Sequence, residues 1–201
     1  MKSYLDEFLS LRCAADVLEA VYPMKQAEKE ISESMALVAA IRSKILSAPG
    51  FWNVIDVCAG NALTGILVAH LLPVDQVWAI DKRQRIREGF GKVKKFSYCV
   101  QDIYDDVFWA TCPSNTILVA SHPCKDLAVK ILEIAKSRGW PAAILPCCIS
   151  RKNLPEWSKG TEKTFGRYIA WLVYLAQKCG GKFKIDKKCL SPCRGLVTRG
   201  L

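Results

Sequence analysis

Short runs of apolar residues alternate along most of the chain with segments of helical periodicity. Strand-like runs lie near 53–58, 76–80, 96–100, 115–120, 141–147, 182–188 and 194–199. Such runs are typical of strands that are covered on both faces. The helical segments between them lie near 62–72, 83–90, 124–138 and 161–179. This alternation predicts an α/β fold with a mostly parallel, seven-stranded sheet and helices on both faces.

The two ends of the chain depart from this alternation. Two helices are predicted before the first strand, at 3–21 and 25–47, and Pro23 separates them. The second helix carries one apolar stripe with steps of three and four: Ile31, Met35, Val38, Ile41 and Ile45. At the other end, only Ser191-Pro192 separates the last two strands, which predicts an antiparallel C-terminal hairpin. We therefore expect an N-terminal helical extension, residues 1–50, before the main domain, residues 51–201.

The stretch from Asn53 to Asp81 has the pattern of the opening βαβ unit of a nucleotide-binding, Rossmann-like sheet. Small residues at Ala59, Gly60 and Asn61 follow the first strand and precede a helix. The unpaired N–H groups and the positive dipole end of that helix are expected to face a ligand. Asp81 follows Gly60 by roughly the 20 residues at which an acidic side chain meets ribose hydroxyls. A βαβ unit without a ligand is the alternative.

Composition narrows the class of protein. The chain has 201 residues, 51% of them hydrophobic, which favours one folded domain over disorder. Residues 57–74 carry no formal charge, but Gly60, Asn61, Gly65 and Pro73 divide them into turn, helix and loop. We therefore expect no membrane span. No charged segment followed by an apolar run opens the sequence, so secretion is not indicated and a cytoplasmic location is expected.

The 10 cysteines include no C-x-x-C pair, which favours reduced thiols. Four of them could be considered for zinc: Cys147, Cys148, Cys189 and Cys193. Adjacent and C-x₃-C spacings are not usual for structural zinc, so buried free thiols and no metal are the expectation.

The net charge of +10 is unevenly distributed. The densest group consists of Lys82, Arg83, Arg85, Arg87, Lys92, Lys94 and Lys95. Two others comprise Arg151, Lys152, Lys159, Lys163 and Arg167, and Lys182, Lys184, Lys187 and Lys188. The first group starts directly after Asp81, beside the expected ligand, and favours a polyanionic partner such as RNA. The alternative is a solvated basic face that only maintains solubility.

Residues 50–201 resemble the class I S-adenosylmethionine-dependent methyltransferases. D-V-C-A-G-N-A is similar to the family's first motif, in which Asp56, Ala59 and Gly60 would surround the methionine part of the cofactor. The resemblance implies that Asp81 binds the ribose and Asp102 the adenine amino group. It also implies cofactor contacts from Asn61, Lys82, Gln101 and Ser121. Two departures are Cys58 and Ala62, where many members have glycine.

Two more stretches resemble a narrower group, which includes tRNA 2′-O-methyltransferases of the acceptor stem. S-H-P-C-K-D-L, from Ser121 to Leu127, is similar to that group's H-x-C-G motif, and L-P-C-C-I, from Leu145 to Ile149, to its paired cysteines. Lys125 stands where the group tends to have glycine, and Ser150-Arg151 replaces a histidine that often follows the cysteines.

The resemblance implies catalytic residues just after the fourth strand, where the methyl group would emerge. Methyl transfer needs alignment and, for some acceptors, a base. His122 is the candidate base and Asp126 lies beside it in sequence. A second chemistry resembles that of RNA cytosine-5 methyltransferases, in which Cys124 or Cys147 would attack the base as a thiolate. The aspartate expected before the Pro-Cys of those enzymes is absent, since Ser121-His122 precede it.

The leading function is therefore an S-adenosylmethionine-dependent methyltransferase acting on tRNA or rRNA. Its expected substrate-binding residues are Arg83, Arg85, Arg87, Lys125 and Arg151. A protein or small-molecule methyltransferase is one alternative. A non-catalytic protein of the same fold that binds RNA or a partner protein is another. The oligomeric state and the role of the N-terminal helices stay open at this stage.

Overall fold

A computed structural model describes residues 2–201, apart from the side chain of Arg151. Its sheet has seven strands: β1 Asn53–Val57, β2 Val77–Asp81, β3 Phe96–Val100, β4 Thr116–Ser121, β5 Ala142–Leu145, β6 Lys182–Ile185 and β7 Gly195–Arg199. They lie in the order β3-β2-β1-β4-β5-β7-β6. β1 to β5 pair in parallel, whereas β7 is antiparallel to both β5 and β6. The predicted sheet and its C-terminal hairpin are confirmed.

Eight α-helices connect and cover the described strands: α1 Tyr4–Leu9, α2 Ala14–Val21, α3 Ala27–Leu46, α4 Leu63–Leu71, α5 Asp106–Thr111, α6 Asp126–Arg138, α7 Ser158–Phe165 and α8 Arg167–Cys179. Short 3₁₀ helices lie at Glu88–Lys92 and Arg151–Asn153. None of the helices in this described part of the chain is long and apolar enough to cross a membrane.

Three helix predictions need correction. The first helix divides into α1 and α2, and the long helix before β6 divides at Gly166, whose φ of +83° ends α7. The predicted helix 83–90 is absent, and only the 3₁₀ turn occupies its end. That segment has six polar or glycine positions among its eight residues, and the Arg87 guanidinium anchors it to the carbonyl groups of Val21 and Pro23. It therefore lacks the apolar stripe that stabilises a surface helix.

Two apolar layers bury the sheet from opposite sides. The helices α3 and α4 form one layer, with Leu37, Ile41 and Leu67 fully buried against β1 and β4 residues. The helices α6 and α8 form the other, in which Trp171 is fully buried. The N-terminal helices thus share a continuous core with the sheet.

The sheet order places one group of loops together. β1 leads outward to β2 on one side and pairs with β4 on the other, so the chain reverses direction between β1 and β4. Open α/β sheets bind ligands outside the carboxyl ends of their strands at such a reversal. The loops after β1, β2, β3 and β4 therefore form the candidate site.

Candidate active site

The turn after β1 has an unusual backbone. Cys58, Gly60 and Ala62 all have positive φ, at 58°, 58° and 62°. This left-handed conformation costs a residue with a side chain roughly 1–2 kcal/mol, and glycine far less. Cys58 and Ala62 occupy the two positions where the resembled family tends to have glycine. The turn therefore keeps the glycine-type geometry although two of its residues are not glycine.

The start of α4 is capped by the protein itself. The Asn61 Oδ1 accepts a hydrogen bond from the Leu63 N–H at 3.1 Å, and the Asp56 Oδ2 accepts one from the Gly65 N–H at 2.9 Å. The sequence predicted that the N–H groups at the start of this helix face a ligand. This is wrong for Leu63 and Gly65, whose N–H groups bind side chains of the protein. Side chains of the protein therefore already satisfy two of the N–H groups at the start of the helix.

Asp56 lies beneath this turn and is only 1% exposed. Its other oxygen, Oδ1, is buried with no hydrogen-bond partner among the described residues. Burial raises the pKa of Asp56 from 3.8 to about 7, although the Gly65 N–H bond acts in the opposite direction. Asp56 was expected near the methionine part of the cofactor, and the structure places it under the turn as a support.

Asp81, at the end of β2, is surrounded by hydrogen-bond donors. Its Oδ2 accepts from the Gly60 N–H at 3.0 Å, and its Oδ1 accepts from the Arg83 N–H at 2.9 Å. The Arg83 guanidinium binds both oxygens, at 3.0 and 3.2 Å. Burial alone would raise the pKa of Asp81, but these hydrogen bonds outweigh it and lower the pKa. Asp81 is thus an ionised acceptor, as ribose binding requires.

A cavity of about 330 Å³ opens beside Asp81. Its walls combine apolar side chains with polar ends of strands: Val57, Ile80, Ile103 and Leu127 with Asp81, Lys82, Gln101 and Asp102. The Asp102 Oδ1 accepts from the Tyr104 N–H at 3.0 Å, and the Gln101 amide donates to Asp105 at 2.7 Å. An apolar slot with two carboxylates at its rim suits a nucleoside. We name it the nucleoside cavity.

A second cavity, of about 290 Å³, adjoins the first and shares Cys58 and Arg83 with it. Four predicted cofactor residues line it: Ala59, Gly60, Asn61 and Ser121. His122 and Arg85 line it as well, together with Gln26, just before α3, and Lys29, Glu30 and Ser34 on α3. We name it the inner cavity. The predicted cofactor residues other than Asp56 are therefore divided between two joined cavities.

His122 is held by a residue that sequence reasoning missed. Its Nε2 contacts the Oε2 of Glu33, a fully buried carboxylate on α3, and the His122 backbone has a φ of +59°. Glu33 Oε1 has no hydrogen-bond partner among the described residues, and the Lys29 Nζ is 4.0 Å from it. A signal existed in the sequence: Glu33 is four residues before Leu37, on the buried side of α3. A carboxylate in that position indicates a buried polar partner.

The remaining catalytic candidates lie apart from His122. Asp126 starts α6, and its Oδ1 accepts hydrogen bonds from Ser150 and Asn153 at 2.8 and 2.7 Å. Its Oδ2 pairs with Lys152 at 2.6 Å. Lys152 and these other donors lower the pKa of Asp126. Asp126 therefore ties α6 to the segment after β5, a structural role rather than the expected catalytic one.

Cys124 lies beside Cys147 and Cys148, with Sγ–Sγ distances of 3.5 and 3.6 Å. Burial is the main cause that raises the pKa of Cys124, and it also raises the pKa of Cys147. A nucleophilic thiolate requires the opposite change. The raised pKa values of these two thiols therefore disfavour the cytosine-5 chemistry.

The basic cluster after β2 is partly used within the chain. Four of its seven cations bind protein groups: Arg83 to Asp81, Arg87 to two carbonyl groups, Lys92 to Glu19 and Lys95 to the Val74 carbonyl. Lys82, Arg85 and Lys94 are exposed and make no hydrogen bond or ion pair with the described part of the chain. Lys125 is also exposed, while the side chain of Arg151 lies outside the described residues.

No protein-family model and no curated protein matches this sequence. Solved structures do match its fold. A mutant of MtNAS in complex with S-adenosylmethionine superposes with a TM-score of 0.50 and 11% identity over 97% of this chain and 69% of that one. An O-methyltransferase family protein from Burkholderia thailandensis gives a TM-score of 0.48 and 14% identity over 97% and 70% of the two chains. A precorrin-6y C5,15-methyltransferase from Geobacter metallireducens gives 0.49 and 11% over 80% and 85%.

The chain has the Rossmann-like methyltransferase fold. At these identities the likeness concerns the fold alone, and the chemistry has to be argued from the site. The strand order and the two joined cavities at the carboxyl ends of the strands carry that argument.

Proposed function

We propose that this protein is an S-adenosylmethionine-dependent methyltransferase that acts on RNA. The single observation behind the proposed methyltransferase activity is the pair of joined cavities at the reversal of the sheet, with ionised Asp81 in the wall of the nucleoside cavity. Each cavity is near 300 Å³, the lower size of ordinary ligand sites, and together they suit a ligand with two parts.

The residues present fit S-adenosylmethionine. The nucleoside cavity offers Asp81 to the ribose hydroxyls, Asp102 to the adenine amino group and apolar walls at Ile80 and Ile103 to the ring. The inner cavity offers Asn61 and Glu30 to the charged amino acid end. When bound, the cofactor supplies an electrophilic methyl group on a sulfonium. Polar groups thus face both ends of such a ligand, and Cys58, which lines both cavities, lies where they join.

His122 is the residue proposed to orient the methyl acceptor. It follows β4, lines the inner cavity and is 28% exposed, so one edge of its ring is accessible while Glu33 holds the other. A fixed imidazole gives a hydroxyl or amine acceptor a defined direction of approach. Glu33 is a positioning residue, since it reaches the cavity only through His122.

RNA is favoured as the acceptor by the charges around the cavities. Lys82 lines the nucleoside cavity and Arg85 the inner cavity, and both are exposed and unpaired within the described chain. Lys94, in the same basic group, and Lys125, three residues after His122, add exposed positive charge. Basic side chains that protein groups leave free are available for phosphates.

The test of the proposed substrate is methyl transfer from a labelled donor. The protein is incubated with total RNA and, separately, with total protein extract. Label in the RNA fraction is the expected result. Label confined to protein, or label in neither fraction, would exclude RNA as the acceptor.

The basic residues are tested by binding. The double variant Lys82→Ala/Arg85→Ala is compared with the double variant Lys182→Ala/Lys187→Ala. These two control lysines are exposed and lie in or just after β6, the edge strand opposite β3. The slope of log affinity against log salt should fall by about 1.4–1.8 in the first variant, since each phosphate contact contributes about 0.7–0.9. Equal slopes in the two variants would show that the cluster does not contact RNA.

A further inference from the structure

Three thiols meet beside the candidate active site. The Sγ atoms of Cys124 and Cys147 are 3.5 Å apart, those of Cys124 and Cys148 are 3.6 Å apart, and those of Cys147 and Cys148 are 3.4 Å apart. Cys124 follows β4, and the other two follow β5. These strands pair in parallel up to Ser121 and Leu145, so the loops after them meet at one edge of the sheet. We name this group the thiol cluster.

The spacing of the thiol cluster suits a tetrahedral metal ion. With Zn–S bonds of about 2.3 Å at tetrahedral angles, two thiolate sulfur atoms lie about 3.8 Å apart. The three distances in the cluster are within a few tenths of an ångström of that value. Adjacent cysteines rarely suggest a metal site from sequence, but the backbone at 147–148 turns both thiols to the same side.

The partial exposure of the cluster allows a cation to reach it. A bound zinc ion displaces the thiol protons and compensates the thiolate charges. The cluster is partly open, because Cys124 is exposed while the other two are half-buried.

We propose that Cys124, Cys147 and Cys148 bind a zinc ion, with the fourth coordination position open to water. Among the described residues, the group of potential ligands whose atoms lie mutually close contains these three side chains and no fourth. Three protein ligands and one open position are typical of zinc sites at which chemistry takes place. The earlier candidates Cys189 and Cys193 lie outside this group.

The zinc ion would fix the loop that carries His122. The His122 N–H donates to the Leu145 carbonyl at 3.0 Å, and the Lys125 N–H donates to the Cys148 carbonyl at 3.3 Å. The loops after β4 and β5 already contact one another, and the metal would join them through their side chains. The site goes beyond methyl transfer and stands without it.

The test uses the full chain, prepared metal-free under reducing conditions. Zinc is titrated in competition with a chromophoric chelator, and cobalt(II) is added separately as a spectroscopic probe. We expect one zinc ion per chain, and cobalt absorption that shows a tetrahedral site with thiolate-to-metal charge transfer. Each of Cys124→Ser, Cys147→Ser and Cys148→Ser should weaken zinc binding at least about 100-fold, since loss of an outer partner alone costs about 10–100-fold.

The matched control is Cys99→Ser, because Cys99 is a half-buried free cysteine on β3, at the edge of the sheet. It should bind zinc as the unaltered protein does. Far-ultraviolet circular dichroism identifies any variant that fails to fold, and the cobalt spectrum of the unaltered chain does not depend on the variants. No zinc binding by the folded protein, or a disulfide between Cys124 and Cys147 under these reducing conditions, would overturn the site.

Discussion

Asp56 gives the sharpest prediction about stability, because it is a buried acid with an altered pKa. The change is Asp56→Asn. The asparagine keeps an oxygen for the Gly65 N–H. Its amide N–H₂ replaces the Oδ1 that has no partner among the described residues. Burying that amide without an acceptor costs about 1–3 kcal/mol, and this cost does not depend on pH.

The pH-dependent part follows from the pKa of Asp56. The unfolded chain loses this proton near pH 3.8, whereas the folded protein keeps it until about pH 7. Between these values the folded state binds more protons, so the contribution of Asp56 to stability falls as pH rises. The whole fall is about 4 kcal/mol, because the interval covers about three pH units at about 1.4 kcal/mol each. Asp56→Asn removes this decrease in stability with rising pH, because asparagine does not titrate.

The assay is urea unfolding followed by tryptophan fluorescence, since Trp109 and Trp171 are both buried. The free energy of unfolding is measured for both proteins between about pH 3 and pH 8. Relative to the unaltered protein, the variant should gain about 4 kcal/mol across this range. The exposed Asp75→Asn is the control and should give no pH-dependent difference. Parallel curves for Asp56→Asn would show that this carboxyl titrates normally, and would refute the reasoning.

Three further predictions test single residues. Lys125 is exposed with φ 50° and ψ −116°, so Lys125→Gly should stabilise the protein by about 1 kcal/mol, or about 2–4 °C in Tm; an equal gain in Lys125→Ala would contradict backbone strain as the cause. Glu33→Gln should lower kcat for labelled methyl transfer by about tenfold or more and leave cofactor affinity nearly unchanged; an unaltered kcat would remove Glu33 as a positioning residue. Arg83→Ala removes the guanidinium from both oxygens of Asp81, while the N–H groups of Gly60 and residue 83 stay in place. Cofactor binding should then tighten by about two- to fivefold; weaker binding would show that Arg83 holds the cofactor.

Much of the fold could be predicted because most of its strands are recognisable from the sequence as short apolar runs. β1 and β4 are buried along nearly their whole length, so each is a short apolar run between turns. The helix α5 was missed because it has only six residues, and its clearest mark is the Asp105 N-cap, whose side chain accepts from the Val107 and Phe108 N–H groups. The helix predicted at 83–90 is absent because this segment is a run of charged residues without the apolar periodicity of a surface helix.

The site was predictable where it lies on consecutive strand ends and not where it depends on α3. Asp81 and Gly60 are placed by the βαβ pattern and Asp102 by the family resemblance, and the structure brings all three to the joined cavities. Glu33 lies 89 residues before His122, and only the packing of α3 across the sheet unites them. The thiol cluster depends in the same way on the pairing of β4 with β5.

The turn after β1 has Cys58 and Ala62 at two positions where many members of the resembled family have glycine. From the sequence alone, it was open whether the turn keeps the backbone conformation that glycine allows. Both residues have the positive φ that glycine would adopt, and the Gly60 N–H still reaches Asp81. The turn therefore keeps the backbone conformation of a glycine-containing turn.

The central claim is that S-adenosylmethionine binds in the two joined cavities through Asp81. Titration calorimetry of the cofactor into the unaltered protein, Asp81→Asn and the surface control Asp75→Asn tests it directly. We expect binding to the unaltered protein and to the control. We also expect a loss of about 1–3 kcal/mol, or about 5- to 150-fold in Kd, for Asp81→Asn. No binding to the unaltered protein at about 1 mM cofactor, or equal affinity in Asp81→Asn, would contradict it.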